Sequence, residues 1–208
     1  MRGEEPPVWS IPSTTRSVYG TEFHAMARKV TCALRADAHA DEEDYAQLLQ
    51  RVWSAGGSGL LESLLLKGDV ESAGYVTTAC HAFCERLLQL KGVEGKLRRF
   101  SDIFVQEEHK LKDVAHPTYI GNLYVSGAID CVRMAPDGAV EVVDYKLTKG
   151  EQLAKEMIQV ALYRRLLLAR DRHLRVHGFI EYFLPELRVT PLGDAALEAA
   201  FEDVVAPV

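Results

Sequence analysis

The sequence is short of several things, and each shortage removes a class of protein. No uninterrupted apolar run in its 208 residues approaches the roughly 18 that a membrane-spanning helix needs. Cysteine is sparse: Cys32, Cys80, Cys84 and Cys131, with only Cys80 and Cys84 close together. A four-ligand zinc site usually arrives as two tight pairs, so these are read as reduced, buried thiols. There is no G-x-x-x-x-G-K-[ST] run, hence no ATP site and no motor on this chain. Cations are outnumbered, 24 Lys and Arg against 30 Asp and Glu, for a formal charge of −6. That balance argues against a protein that coats nucleic acid through nonspecific phosphate contacts. It leaves room for a locally basic cleft, or for carboxylates whose charge a metal cancels. The start, MRGEEPPVWS, lacks the basic-then-apolar order of a secretory signal, so a cytoplasmic location is expected. Internal repeats and low-complexity stretches are absent.

What is present is a folded composition, 48% hydrophobic and 26% charged, at the length of one ordinary domain. Residues 1–208 are therefore read as a single domain. Phe23, Met26, Ala27, Val30 and Leu34 recur at helical spacing after Gly20-Thr21. Residues 42–54 repeat the pattern until the Gly56-Gly57-Ser58-Gly59 run breaks it. A short helix from Leu60 to Lys67 and a longer one through Val76, Cys80, Phe83, Leu87 and Leu90 complete a mainly helical portion, 1–99. From 100 to 185 the pattern becomes αβ. Strands are predicted at Ile103–Lys110, Tyr119–Met134 and Val140–Leu147, then a helix over 151–169 and a strand at Val176–Phe183. Residues 186–208 are left as a tail or helix. The fold class is α/β, with a helical N-terminal portion.

Pro136-Asp137-Gly138 has the chemistry of a hairpin turn, proline fixing φ and glycine accepting a positive one. A turn centred on Asp137 sets Asp130 opposite Asp144. Alternation then puts Lys146 on the face of Asp144, with Tyr145 on the other. Two opposed carboxylates repel and call for a cation between them, either Lys146 alone or a divalent metal. A surface cluster neutralised by Lys146 would be the plain explanation. Against it, Val140, Val142 and Val143 mark an internal strand, where charges need a reason. Carboxylate oxygens suit Mg²⁺ or Mn²⁺, and an adjacent lysine can polarise water and offset phosphate charge. On the following helix Gln152, Glu156, Gln159 and Tyr163 share one polar stripe.

The ordered set Gly127-x-x-Asp130, a turn, Asp144-Tyr145-Lys146 and Gln159-x-x-x-Tyr163 resembles the RecB-type nuclease domains of the PD-(D/E)XK superfamily. The resemblance spans about 100–183 and adds Gly20-Thr21-Glu22-Phe23-His24 upstream. It implies a PD-(D/E)XK restriction-endonuclease-like core hydrolysing phosphodiester bonds, DNA favoured, with Mg²⁺ or Mn²⁺. It implies metal ligation by His24, Asp130, Asp144 and the backbone carbonyl of Tyr145, catalysis by Asp130, Asp144 and Lys146, and substrate contact by Gln159 and Tyr163. Glu108 resembles a further glutamate near the metal. Many RecB-type domains hold an iron–sulfur cluster on one cysteine before the core and three after it. With no cysteine after Cys131, none is expected here. The alternative is a catalytically silent subunit of a repair or defence complex, binding nucleic acid or a protein partner. Two basic segments, Lys91 to Arg99 and Arg164 to Arg175, are candidate phosphate contacts, or simply solvated faces.

Overall fold

A computed structural model describes residues 15–93, 95–105, 110–118, 121–148 and 153–205. The first helix, α1 (Thr15–Ala36), starts before the expected Gly20 and buries Phe23, Met26, Ala27, Val30 and Leu34. A 3₁₀ turn at Ala40–Glu42 leads to α2 (Tyr45–Val52). There Asp44 and Gln47 cap each other's backbone N–H groups reciprocally. The helical path then widens through Trp53–Gly57 and kinks at Gly56, whose φ of 155° only glycine adopts without strain. It resumes as α3 (Ser58–Leu66), and α4 (Val70–Lys91) follows behind an Asp69 cap. α4 is the spine of this layer, packing against both α2 and α3.

A small ribbon of β1 (Gly92–Val93) and β2 (Lys96–Leu97) precedes a helical turn, α5 (Phe100–Ile103). This corrects the strand expected from Ile103. Phe100, Ile103 and Phe104 are buried at a spacing of three to four, which suits a helical turn packed on α1, and the Phe100 N–H donates to Asp41. Past that turn Phe104 makes a single antiparallel bridge with Arg133, and β3 (Lys110–Thr118) pairs antiparallel to β4 (Gly121–Ala128) in a two-stranded sheet of their own. The single strand expected over 119–134 is therefore two. The chain leaves β4 at Ile129–Asp130 and joins a different sheet as β5 (Cys131–Met134). The break has a physical cause: the Asp130 carboxylate takes the N–H of Tyr145, a donor that backbone pairing would otherwise have used.

The main sheet runs β5, β6 (Val140–Lys146), β7 (Val176–Tyr182), β8 (Arg188–Leu192). β5 and β6 form the expected hairpin, from Cys131 opposite Val143 to Met134 opposite Val140, symmetric about Asp137, with Gly138 at φ 80°. β6 and β7 are parallel, joined by α6 (Leu153–Arg170) as a crossover. β8 was not foreseen. Its Pro191 belongs on an edge strand, which β8 is. The chain then enters α7 (Asp194–Val205).

Strand alternation divides the sheet cleanly. Cys131, Val143, Tyr145 and the neighbouring Phe183 pack with Phe23 and Phe83 of the helical layer. Val142, Ile180 and Tyr182 pack with α6 and α7 on the opposite face. Gly178 lets both helices close on that face, because a Cβ there would sit 2.7 Å from Val160 Cγ1 and 2.8 Å from Leu197 Cδ1. The result is the expected α/β architecture, a mixed sheet between helical layers.

Candidate active site

The candidate side chains gather where β5 and β6 diverge. Asp130 continues the hairpin register one step past Cys131 and so stands beside Asp144, though just outside the strand. Its Oδ2 accepts the Tyr145 N–H at 2.9 Å and its Oδ1 lies 2.9 Å from Nδ1 of His24 on α1. Burial alone would raise the Asp130 pKa, but the hydrogen bond and charge of His24 hold it below the ordinary carboxylate value. His24 is raised in turn, since the hydrogen bond and charge of Asp130 outweigh the burial that opposes imidazolium.

Asp144 has the opposite character. It is 0% exposed, and its pKa is pushed up to about 7, first by burial and further by Asp130, with Lys146 opposing. Lys146 Nζ is 2.6 Å from Asp144 Oδ2, yet neither carboxylate oxygen has a hydrogen bond in proper geometry. The ammonium supplies charge at close range without satisfying the lone pairs. The expectation of one cation between the two carboxylates is thus refined. Each carboxylate has its own neighbour, His24 for Asp130 and Lys146 for Asp144.

The third component comes from α6. Gln159 Oε1 accepts from Lys146 Nζ at 3.2 Å, while its Nε2 donates to Tyr163 Oη at 2.9 Å. Burial pushes the Tyr163 phenol up to about 12, keeping it neutral. The polar stripe of α6 therefore faces inward, and Leu153 of the nominally apolar side is exposed. Glu156 extends the stripe: it is buried, accepts from Tyr182 Oη at 2.5 Å and is 3.5 Å from Thr148 Oγ1. Sequence reasoning placed Glu156 on the stripe but gave it no role. Tyr182 reaches it because Tyr182 is the parallel partner of Lys146.

The structure thus brings His24, Asp130, Asp144, Lys146, Gln159 and Tyr163 together, while Glu108 and Gln152 lie outside the described residues. Among the described residues no three His, Cys, Asp or Glu side chains form a ready-made metal set. The carboxylate pair nevertheless fits a hard cation that keeps several waters, because the buried Oδ1 of Asp144 has no hydrogen bond and such an ion would engage it. The Tyr145 carbonyl leaves β6 on the same edge as its N–H, toward Asp130.

The basic segments are mostly engaged elsewhere. Buried Lys91 donates to the carbonyls of Asp41 and Glu43, and Arg98 to that of Met134. Arg164 and Arg165 pair with Glu198, and Arg175 with Asp137. Of the cysteines, Cys80, Cys84 and Cys131 are buried and free, but Cys32 is exposed, which corrects the expectation for that one.

Two carboxylates and a lysine meet at the open end of the β5–β6 hairpin, backed by a crossover helix, an arrangement that would suit phosphodiester hydrolysis. The chain belongs to the PD-(D/E)XK nuclease superfamily, whose family model matches residues 3–201. No curated protein matches it significantly. Members of this superfamily are nucleases, many of them using divalent metal.

Proposed function

We propose that this chain is a Mg²⁺- or Mn²⁺-dependent deoxyribonuclease of the RecB type, lacking the iron–sulfur cluster. The observation that carries the reading is Asp144, a carboxylate buried beside a second carboxylate, with Lys146 against its Oδ2 and no hydrogen bond to its Oδ1. Burying charge without hydrogen bonds is costly, and such strain concentrates at functional sites. Asp130, Asp144 and the Tyr145 carbonyl would hold the metal, with His24 beside Asp130. When bound, the ion supplies Lewis-acid charge to the phosphate and acidifies nearby water.

The remaining work falls to this chain's own groups. Lys146 donates from Nζ toward the attacking water or the charge developing on phosphate oxygen. Gln159 fixes where that amine points, and Tyr163 fixes Gln159. The Asp130 hydrogen bonds to His24 and Tyr145 hold its carboxylate in one orientation. By analogy with the family the products carry a 5′-phosphate and a 3′-hydroxyl. A panel of linear, circular and single-stranded DNA plus RNA, with Mg²⁺ or Mn²⁺ and with EDTA, tests this. DNA cleavage that EDTA abolishes is expected, and cleavage indifferent to EDTA would contradict it.

A further inference from the structure

His24 belongs to a longer row. His24, Arg28, Thr31 and Arg35 follow i, i+4, i+7 and i+11 along α1, one stripe about 16 Å long at 1.5 Å per residue. Arg28, Thr31 and Arg35 of this row, with Lys29 and Cys32, form one wall of a groove of about 500 Å³ that opens beside Asp130. Arg28 and Lys29 on that wall are exposed, and Arg35 is half-buried. Among the described residues neither Lys29 nor Arg35 has an ion-pair partner, unlike Arg164 and Arg165 of α6. The opposite side is apolar, made by Phe104, Val105, Ile129 and Val132. A space of this volume takes a drug-sized group, such as a base with its sugar, and not the body of a duplex.

We infer that this groove binds a single DNA strand leading to the carboxylates, its phosphates on Arg28, Lys29 and Arg35 and a base against the apolar side. Cationic tracking joined to apolar base contact is how single strands are held without sequence preference. The inference rests on the nuclease reading, since the strand must end at Asp130 and Asp144. It also explains how a chain of net charge −6 engages a polyanion, through one locally basic wall.

Cys32 lies in the groove and is exposed, whereas Cys80, Cys84 and Cys131 are buried, so its alkylation reports occupancy directly. The rate of Cys32 carboxamidomethylation would be measured for wild type in EDTA and for Lys146→Ala in Mg²⁺, with a single-stranded oligonucleotide, a blunt duplex, or neither. The expected result is several-fold protection by the single strand and little by the duplex. The triple substitution Arg28→Ala, Lys29→Ala, Arg35→Ala should bind the strand more weakly and reduce the slope of log K against log salt by about 2. Equal protection by duplex overturns the single-strand assignment. DNA cleavage by an enzyme whose Cys32 reacts equally fast with and without DNA overturns the groove and leaves the nuclease intact. Protection without cleavage by the wild type supports the groove and removes the nuclease reading.

Discussion

Lys146 stands 2.6 Å from Asp144 and still leaves both carboxylate oxygens without a hydrogen bond. The pair is close enough to attract and too poorly aligned to be satisfied. An unsatisfied buried charge costs stability. Asp144 should therefore be a residue whose removal harms activity and helps the fold.

The pH dependence of stability makes that concrete. Burial pushes the Asp144 carboxyl up to about 7, from an ordinary aspartate value of 3.8, so its protonated form is the one the fold prefers. Its contribution is fully present below about pH 4 and is lost as pH rises through about 7. In EDTA, Asp144→Asn should match wild type near pH 4 and exceed it above pH 7 by on the order of 2–4 kcal/mol. Thermal melts at both pH values check this, and an Asn variant less stable than wild type at pH 8 would sink it.

Metal affinity should follow the same titration with the opposite benefit. Protons compete for the carboxylate that an ion requires, so Mn²⁺ binding to the wild type should strengthen as pH rises toward 7 and level off above it. Calorimetric titration at pH 5.5, 6.5 and 8 provides the comparison. Equal affinity at all three would separate binding from Asp144.

Gln159 touches Lys146 on one side and Tyr163 on the other, so the proposed nuclease gives it a positioning role. Gln159→Leu should lower kcat about 10-fold with little change in KM, the scale of one lost hydrogen bond to a charged group. Tyr163→Phe, one step further away, should cost less. A Gln159→Leu enzyme with raised KM and unchanged kcat would indicate that Gln159 binds substrate instead.

On the far face of the sheet Arg133, 1% exposed, lies between Glu141 at 2.6 Å and Glu181 at 2.7 Å, and Arg86 reaches Glu181 at 2.8 Å. Removing one member strands buried charge, so Glu181→Ala should destabilise by about 3–5 kcal/mol. Gly178→Ala should cost about 1–3 kcal/mol by forcing Val160 and Leu197 away. Denaturant melts measure both, and a Glu181→Ala loss under about 1 kcal/mol would show the network to be dispensable.

The hairpin was legible in the sequence because Pro136-Asp137-Gly138 fixes a turn and alternation does the rest. That is why the observed register is symmetric about Asp137. The inward stripe of α6 was legible for the same kind of reason, polar residues recurring at helical spacing. What escaped depended on distant pairing. Tyr182 meets Glu156 only because β7 lies parallel to β6. The division of residues 119–134 turned on Asp130 capping Tyr145, a contact no local pattern announces. The Arg28 and Arg35 stripe was present in the sequence at the spacing of His24, but only packing sets it beside Asp130.

The central claim is that Asp144 holds metal while Lys146 acts on the substrate. It is tested most directly by measuring Mg²⁺-dependent DNA cleavage and Mn²⁺ binding side by side for wild type, Asp144→Ala and Lys146→Ala. Loss of both properties is predicted for Asp144→Ala, and for Lys146→Ala loss of cleavage by roughly 10²–10⁴-fold with metal binding retained. Wild-type cleavage rates in the Lys146→Ala protein would contradict it.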